Sequence, residues 1–183
     1  RPGELRRLPA WDDVLNYDFP RLALKKPALL DFGAAGKGYL VDIIAGLLEE
    51  QGTRTYCVDA GGDMRQHGAR PIRVGLEHPE DPAQVIGVAK LHGRALCGSA
   101  GNRRAWAGYH HILDPENLAS PRHIRALWVV ADTALLADAL TTALFFVSPK
   151  RLAQRYNFEY AIVRDDYSLS RSAAFPGTFF TKE

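Results

Sequence analysis

Apolar residues recur along this chain at two spacings, one typical of helices and one typical of strands. Apolar positions three and four residues apart, followed by Gly52 as a stop, predict a helix from Lys37 to Gln51. A nearly all-apolar run predicts a second helix from Thr133 to Val147, capped by Asp132 or Thr133 and closed before Pro149. Because apolar residues cover most faces of this second helix, we expect it to be buried.

Short apolar runs between turn residues predict most of the remaining elements. We expect a buried strand at residues 28–32, preceded by a short helix or loop within residues 1–27. Further strands are predicted at residues 55–58, 72–77, 85–91, 95–97, 109–113 and 126–130, then a short helix ending near residue 156 and a hairpin of residues 160–163 and 168–172. Strands and helices do not alternate strictly, so the pattern favours an α+β fold over a doubly wound sheet.

Composition narrows the class of protein. The 183 residues, 46% of them hydrophobic, suffice for a single domain over residues 1–183 with a sizeable core. Lys and Arg total 23 against 21 Asp and Glu, and this near balance argues against a dedicated nucleic-acid-binding protein. No apolar run reaches the roughly 18 to 20 residues that a bilayer-spanning helix needs. The two cysteines, Cys57 and Cys97, are too few for a disulfide framework.

The sequence does not begin with methionine. The first residue is Arg1, and the only methionine is Met64. We therefore expect that the natural start lies outside this sequence, and that any signal peptide or lipid anchor was removed with it. The absence of a targeting segment is accordingly no evidence for a cytoplasmic protein.

A glycine-rich segment leads from the predicted strand at residues 28–32 into the first helix. It reads Asp31-Phe32-Gly33-Ala34-Ala35-Gly36-Lys37-Gly38-Tyr39. The N-terminus of a helix presents free N–H groups, which suit an anion such as phosphate. The spacing matches neither a Walker A loop nor the dinucleotide fingerprint GxGxxG. Two interpretations stay open: a phosphate contact by Lys37, or a tight turn with a solvent-facing lysine.

The second helix contains one carboxylate among apolar residues. A buried, unpaired Asp138 would be costly, so this side chain needs a partner. Thr142 lies four residues further on, on the same helix face. A carboxylate and a hydroxyl on one face suit a hard cation such as Mg²⁺ or Ca²⁺. The alternative is that Asp138 pairs with an arginine or caps a neighbouring backbone group.

Three further segments carry chemistry-bearing residues. In the segment His110-His111-Ile112-Leu113-Asp114, strand alternation places His111 on the face opposite its neighbours, where it could act as a base assisted by Asp114. The alternative is a pair of half-exposed histidines before a turn. Residues 59–63 form a glycine turn that permits close approach to a ligand. In residues 99–104, Arg103 and Arg104 either contact phosphate or form solvated surface.

These motifs, in this order, resemble the ApbE family of FAD:protein FMN transferases. The family pattern contains D-[LF]-G-x-x-[AG]-K-G-Y-x-x-D, then G-G-D, S-G, H-I-x-D-P-x-T-G-x-P and A-D-A-x-x-T-A. This chain matches it at Asp31 to Asp42, Gly61-Gly62-Asp63, Ala100-Gly101, His111 to Pro115 and Ala137 to Ala143. The resemblance spans about residues 28–150, and five short motifs in the right order are far more specific than any one of them.

The resemblance implies a fold and a reaction. The fold would be the family's mixed core, T-fold-like, with mostly antiparallel strands and helices packed on them. The enzyme would bind FAD and Mg²⁺, transfer FMN to a Thr or Ser hydroxyl of an acceptor flavoprotein, and release AMP. Two other functions stay open: a flavin-binding module without transfer activity, and an FAD pyrophosphatase that releases FMN and AMP.

The resemblance also assigns roles to residues of this chain. The Asp138 carboxylate, the Thr142 hydroxyl and the Gly36 backbone carbonyl would hold the metal. His111 would take the proton from the acceptor hydroxyl, with Asp114 as a second catalytic residue. The flavin dinucleotide would be bound by Gly33, Lys37, Tyr39, Gly61, Gly62, Asp63 and Ile112.

Two departures from the family pattern qualify these expectations. The segment Glu116-Asn117-Leu118-Ala119-Ser120-Pro121 is one residue longer than x-T-G-x-P and lacks its Thr-Gly. Family members carry roughly a hundred additional residues before this region. We therefore expect either a fragment or a shortened member with an altered pocket. A partner chain that supplies the missing wall is a further alternative, and a homodimer stays open. Family habit favours the cell envelope or periplasm as the location.

Overall fold

The computed structural model describes residues 8–101 and 105–180, and the α+β prediction is confirmed. The first described elements are a short helix and a hairpin, α1 (Trp11–Val14), β1 (Leu15–Asp18) and β2 (Arg21–Leu24). The remaining elements, in chain order, are α2 (Gly36–Glu50), β3 (Tyr56–Asp59), β4 (Met64–His67), β5 (Ile72–Glu77), β6 (Val85–Leu91), β7 (Ala95–Ala100), β8 (Ala105–Trp106), β9 (Tyr109–His110), β10 (Ile124–Ala131), α3 (Ala134–Ala143), α4 (Pro149–Leu152), β11 (Glu159–Arg164), β12 (Leu169–Arg171) and β13 (Gly177–Phe179).

Two antiparallel sheets and two helices form the layers of the fold. The larger sheet has six strands in the order β12-β11-β10-β7-β4-β3, and the smaller has three in the order β13-β6-β5. Helices α2 and α3 pack against each other and against the larger sheet. One core cluster joins α3 to this sheet, and a second cluster fills the space between the two sheets.

Strand β10 shows how the sequence builds both clusters. Because successive side chains of a strand point to opposite faces, Leu127 and Val129 join the helix-side cluster. Ala126, Trp128 and Val130 join the cluster between the sheets. Both faces are therefore buried, which explains why this strand reads as a continuous apolar run rather than an alternating one.

Both long helices lie close to where the sequence predicts them. Helix α2 is offset by one residue from the prediction, and Gly52 follows it with φ of 80°, a left-handed conformation that favours glycine. Helix α3 begins at Ala134, and its Thr133 cap is confirmed, because the Thr133 hydroxyl accepts a hydrogen bond of 3.2 Å from Leu136 N. Regular α-helix ends at Ala143, earlier than Val147.

The strand predicted at residues 28–32 is wrong. This segment forms neither strand nor helix, and Leu29 is 97% exposed. Its apolar run has no neighbouring strand to pair with within the described residues, so local hydrophobicity misled the interpretation. The strand predicted at residues 109–113 is shorter than expected, with pairing confined to β9.

Several short strands escaped the sequence pattern, namely β1, β2, β4, β8 and β13. In β4 the buried positions are Met64 and Gln66, and a polar residue at a buried position hides the alternation. Gln66 is accommodated there because its side-chain amide bonds the Gly93 N–H and the Arg70 carbonyl. None of the helices among the described residues is long and apolar enough to cross a membrane.

Candidate functional site

A cleft of about 780 Å³ opens at the edge of β7 in the larger sheet. Strand β4 pairs with β7 only at Met64 and Arg65, so the rest of the β7 edge is left beside the turn at Gly61 and Gly62. This gap connects the helix side of the sheet to the side that faces the smaller sheet. Eight of the twelve residues proposed from the sequence line the cleft: Gly33, Lys37, Gly61, Gly62, His111, Ile112, Asp138 and Thr142.

Asp138 projects from α3 towards the first turn of α2. The side chain is 5% exposed, and its Oδ2 accepts a hydrogen bond of 2.8 Å from Gly38 N. The partner that this carboxylate requires is therefore a neighbouring backbone group, one of the alternatives open from the sequence. Burial raises the pKa of the Asp138 carboxyl; the Gly38 N–H opposes that rise, Asp63 adds to it, and Lys37 opposes it.

The two helices meet so closely that only glycine fits at residue 38. A Cβ on Gly38 would lie 2.2 Å from the carbonyl oxygen of Ala134 and 2.7 Å from Cβ of Asp138. Asp42, one turn further along α2, caps the start of α3 by accepting hydrogen bonds from Ala134 N (3.0 Å) and Leu135 N (2.8 Å). The glycine-rich motif thus joins α2 to α3.

This junction changes the interpretation of the helix N-terminus. The N–H groups of Ala35 and Gly36 donate to the carbonyl of Phe32, and that of Gly38 donates to Asp138. These groups are therefore satisfied within the protein, and the anion held at the start of α2 is the carboxylate of Asp138. The Lys37 side chain, 43% exposed and lining the cleft, is left as the cationic group of this motif that a phosphate can reach.

Asp63 lies behind Lys37 and is 1% exposed. The Lys37 ammonium forms an ion pair with Asp63 Oδ2. Neither oxygen of Asp63 has a hydrogen bond of standard geometry within residues 8–101 and 105–180. The nearby thiol of Cys97 is buried, and burial, followed by the charges of Asp63 and Asp138, raises the pKa of this thiol far above its ordinary value. Cys97 is therefore an inert, protonated neighbour of two carboxylates.

The hydroxyl groups of α3 have distinct surroundings. The buried Thr141 donates to the backbone carbonyl of Asp138 (2.7 Å) and accepts from the Ser99 hydroxyl (2.8 Å), which ties α3 to β7. Thr142 is half-buried and lines the cleft beside Asp138, as its spacing of four residues predicts. Thr141 is thus engaged in packing, whereas Thr142 faces the cleft.

The oxygen donors of Asp138 and Thr142, which line the same part of the cleft, suit Mg²⁺ as ligands. No group of three or more His, Cys, Asp or Glu in the described part of the chain is arranged to hold a metal. Mg²⁺ is commonly held by one or two carboxylates, with substrate phosphates and water completing its shell. Asp138 and Thr142 supply a carboxylate and a hydroxyl that line the same cleft. This set fits an Mg²⁺ ion completed by a bound phosphate, and does not fit an all-protein metal cage.

His110 and His111 have different environments, although β9 ends at His110 and His111 lies outside the strand predicted for it. His110 is 7% exposed, and its Nε2 lies 2.8 Å from the carbonyl oxygen of Pro121. Ser120 joins the same contact by accepting from His110 N and donating to the His110 carbonyl. His111 is exposed and lines the cleft. His110 therefore anchors the following loop, while His111 is the imidazole that a ligand can reach.

Asp114 organises the loop from residue 114 to residue 120. Its Oδ1 accepts from Glu116 N and its Oδ2 accepts from the Asn117 side chain, each at 2.8 Å. Leu118 adopts φ of 59°, in the left-handed region, and its N–H donates to the Asp114 carbonyl. The carboxylate of Asp114 is thus used within its own loop, and its assistance to His111 stays a prediction.

Other predicted residues lie beside the cleft rather than in its lining. Tyr39 is 55% exposed on the first turn of α2, and Gly36 begins that helix. Metal binding by Gly36 and flavin binding by Tyr39 stay predictions. Arg103 and Arg104, considered as phosphate contacts, lie outside the described residues. The turn at residues 59–63 is present as predicted, with Gly61 and Gly62 at φ of 73° and 100°.

Three residues at the site were missed from the sequence. Trp128 lines the cleft from β10, and His78 lines it from the end of β5. The Nδ1 atom of His78 accepts from Glu80 N (3.1 Å) and Asp81 N (3.2 Å), so its Nε2 carries the proton when the ring is neutral. The third is Asp42, whose capping role joins positions 92 residues apart. No local signal distinguishes Trp128 and His78 from ordinary core or loop residues, whereas Asp42 ends the glycine-rich motif but was given no role from the sequence.

The fold and cleft define a class: an antiparallel α+β domain with a cleft that combines a lysine, a buried carboxylate and an exposed histidine. A model of the ApbE family matches residues 3–162 of the chain. The chain therefore belongs to the ApbE family, as its motifs predict.

Relatives and solved structures agree with this assignment. The FAD:protein FMN transferase of Klebsiella pneumoniae is 31% identical over 150 residues, covering 76% of this chain and 41% of that protein. That of Haemophilus influenzae is 28% identical, covering all of this chain and 60% of that protein. The Thermotoga maritima ApbE protein has a TM-score of 0.77 at 27% identity, covering 88% of this chain and 57% of that one.

The flavinyl transferase ApbE of Pseudomonas stutzeri has a TM-score of 0.71 at 26% identity, covering 89% of this chain and 57% of that one. The chain thus spans about 40 to 60% of the length of these relatives. The family's mixed core of mostly antiparallel strands is confirmed by these structures.

Proposed function

We propose that this chain carries the catalytic cleft of an Mg²⁺-dependent FAD:protein FMN transferase. The reaction moves FMN from FAD to a Thr or Ser hydroxyl of an acceptor flavoprotein and releases AMP. The observation that carries the proposal is the meeting of Lys37, Asp138, Thr142 and His111 in one cleft, from three separate parts of the chain. Membership of the ApbE family and the names of its relatives support the same reaction.

The cationic side of the cleft binds the pyrophosphate of FAD. Lys37 reaches the cleft with its ammonium and pairs with Asp63 when no phosphate competes for it. Because Asp63 is buried, it holds the lysine near the cleft rather than leaving it in solvent. Lys37 therefore orients the phosphates and offsets their negative charge.

Asp138 and Thr142 are the side chains that hold Mg²⁺, with the carbonyl of Gly36 as a third proposed ligand. Mg²⁺ held by these groups would neutralise charge that builds on the pyrophosphate as the phosphoanhydride bond breaks. The hydrogen bond from Gly38 N fixes one oxygen of Asp138 and so orients the carboxylate. Thr141 and Ser99 fix the backbone of α3 beneath these groups.

His111 removes the proton from the acceptor hydroxyl. The side chain is exposed at the cleft, where a segment of an acceptor protein can approach it. A neutral imidazole has a pKa close to the working pH and suits this role as a general base. Asp114 holds the loop that follows His111 and thereby limits the movement of that loop.

We also propose that the enzyme works in the cell envelope, as the family resemblance implies.

The deciding experiment incubates the protein with FAD, MgCl₂ and an acceptor domain that carries a flavinylation site. We expect fluorescence on the acceptor band in a gel and an intact-mass increase equal to one FMN, with AMP in solution. EDTA abolishes both signals. FMN and AMP free in solution, without an adduct, would replace the proposal with an FAD pyrophosphatase. FAD binding without either product would indicate a flavin-binding module.

A further inference from the structure

The cleft has an apolar part on the side of the larger sheet that faces away from the helices. It is lined there by Met64, Val74, Leu96, Ala126 and Trp128. These side chains belong to, or pack against, the cluster between the two sheets. The gap at the edge of β7 joins this apolar part to the polar part that contains Lys37 and Asp138. A single cleft with one charged and one apolar part suits a ligand that has an anionic group and a flat ring.

Trp128 is the largest side chain of this apolar part. Trp128 on β10 pairs with Gly98 on β7. Its side chain lies on the face of the sheet that faces the smaller sheet, whereas Leu127 lies on the helix side. A Cβ on Gly98 would lie 3.0 Å from Cδ1 and 3.2 Å from Nε1 of the indole. The ring of Phe179 packs against the indole, with centroids 6.2 Å apart and planes at 56°. Phe179 packs on the indole, and Gly98 lets the pyrrole edge lie close to the β7 backbone. Trp128 is therefore 7% exposed and lines the cleft with a small part of its surface.

We propose that Trp128 is a specificity-determining residue that contacts a planar heteroaromatic ring of the substrate, and that the absence of a side chain at Gly98 gives the indole the room to hold this position. This inference rests on the proposed function, because FAD is the ligand with both the pyrophosphate and such rings. An indole offers a large rigid surface for stacking or edge contact, and an N–H that can donate to a ring nitrogen or carbonyl. FAD carries a flat ring at each end, isoalloxazine or adenine, and the test distinguishes them.

The first measurement makes Trp128 the only fluorescent indole. Trp11 and Trp106 are 62% and 51% exposed, and neither lines the cleft, so the double substitution Trp11→Phe/Trp106→Phe leaves the site intact. We expect FAD with MgCl₂ to change the Trp128 emission saturably, after correction for FAD absorbance with free tryptophan. The midpoint should equal the Kd from calorimetry. Because energy transfer to a bound flavin quenches tryptophan emission without contact, calorimetry assigns the ring: riboflavin binding that weakens in Gly98→Ala assigns the isoalloxazine end, and AMP binding that weakens in Gly98→Ala assigns the adenine end.

The second measurement compares FAD affinity in matched variants. We expect Trp128→Leu and Gly98→Ala each to weaken FAD binding about tenfold, since the first removes the ring contact and the second places a methyl group against the indole. Trp106→Leu, the control, should bind FAD within about twofold of the parent. Thermal unfolding of each variant checks its fold. If Trp128→Leu does not fold, the FAD affinity of Gly98→Ala and the emission titration decide whether Trp128 contacts the ring.

The outcomes separate this inference from the proposed function. FAD binding by calorimetry with unchanged Trp128 emission and an unchanged Kd in Gly98→Ala overturns the role of Trp128. Continued FMN transfer to the acceptor in that case leaves the proposed function standing. Absence of any FAD binding by calorimetry overturns both. A saturable emission change together with a weakened Kd in Gly98→Ala supports the inference, whether or not an acceptor is modified.

Discussion

The two sides of the cleft carry candidate chemistry but are built in different ways. On one side, the junction of α2 with α3 joins Gly38 to Asp138 and Asp42 to Ala134, pairs that are 100 and 92 residues apart in sequence. On the other side, the loop after His111 is held by hydrogen bonds between residues at most 11 apart. The difference teaches that the position of the candidate metal ligand depends on tertiary packing, whereas that of the candidate base depends largely on local structure.

The largest effect is expected from removing the carboxylate at the junction. Asp138→Ala should reduce flavin transfer to background and abolish any rise in Tm caused by MgCl₂, because the carboxylate is the charged side chain proposed to bind the ion. The measurements are the gel assay and thermal unfolding with and without MgCl₂. Asp132→Ala removes an exposed carboxylate two residues before the same helix; it is the control and should behave as the parent. Full transfer by Asp138→Ala would show that the metal assignment is wrong.

The loop side is tested at His111. His111→Ala should slow transfer about 10²- to 10⁴-fold, the usual contribution of a general base, while FAD affinity stays within a few-fold of the parent. Single-turnover transfer and calorimetry measure the two quantities separately. His123→Ala removes an exposed imidazole that does not line the cleft and serves as the control. A parallel loss of rate and FAD affinity would make His111 a binding residue instead.

The tight contact at the junction makes a prediction about stability. Gly38→Ala should lower the free energy of unfolding by about 3 kcal/mol, because a Cβ 2.2 Å from the Ala134 carbonyl oxygen forces α2 away from α3. Gly46→Ala, in the same helix with no atom within 4 Å of its added Cβ, should raise stability by about 0.5 to 1 kcal/mol. Urea unfolding measures both. Equal values for the two variants would contradict the junction described above.

The loop side has a smaller counterpart at Asp114. Asp114→Ala should cost about 1 kcal/mol, since it removes the acceptors for Glu116 N and the Asn117 amide. Asp114→Asn keeps one carbonyl acceptor and should cost less. The same two variants separate positioning from catalysis: slow transfer by both would indicate that the charge assists His111. Slow transfer by the alanine variant alone would limit Asp114 to holding the loop.

The smallest effect lies at the far end of α2. Burial, and then the hydrogen bond to Glu49, raise the pKa of Tyr56 from 10.0 to about 12. The folded state therefore retains the phenol proton longer than the unfolded chain does, so stability present below pH 10 is lost as the pH rises towards 12. Tyr56→Phe has no phenol to ionise and should not show this loss. The loss of stability in the parent should be less than about 1 kcal/mol, because the Tyr56 side chain is only partly buried. The free energy of unfolding of both proteins is measured at pH 9 and pH 11.5. An equal change between the two pH values in parent and variant would contradict the prediction.

Local patterns predicted the elements whose burial follows a regular period. Helical spacing located α2 and the apolar run located α3, while the structure selected Thr133 from the two predicted caps, Asp132 and Thr133. The same reasoning failed at residues 28–32, because an apolar run reports hydrophobicity and not the presence of a pairing strand. Strand β4 escaped because Gln66 is buried on account of partners that are distant in sequence.

The sequence by itself determined the fold class, the two helices, the glycine turn at residues 59–63 and the list of residues able to do chemistry. The tertiary structure decided which of them meet. It placed Asp138 against Gly38, used Asp42 to cap α3, and brought Trp128 to the cleft. The physical reason is range: spacing along the chain fixes which face a side chain occupies, whereas its partners across the cleft are set by the packing of distant elements.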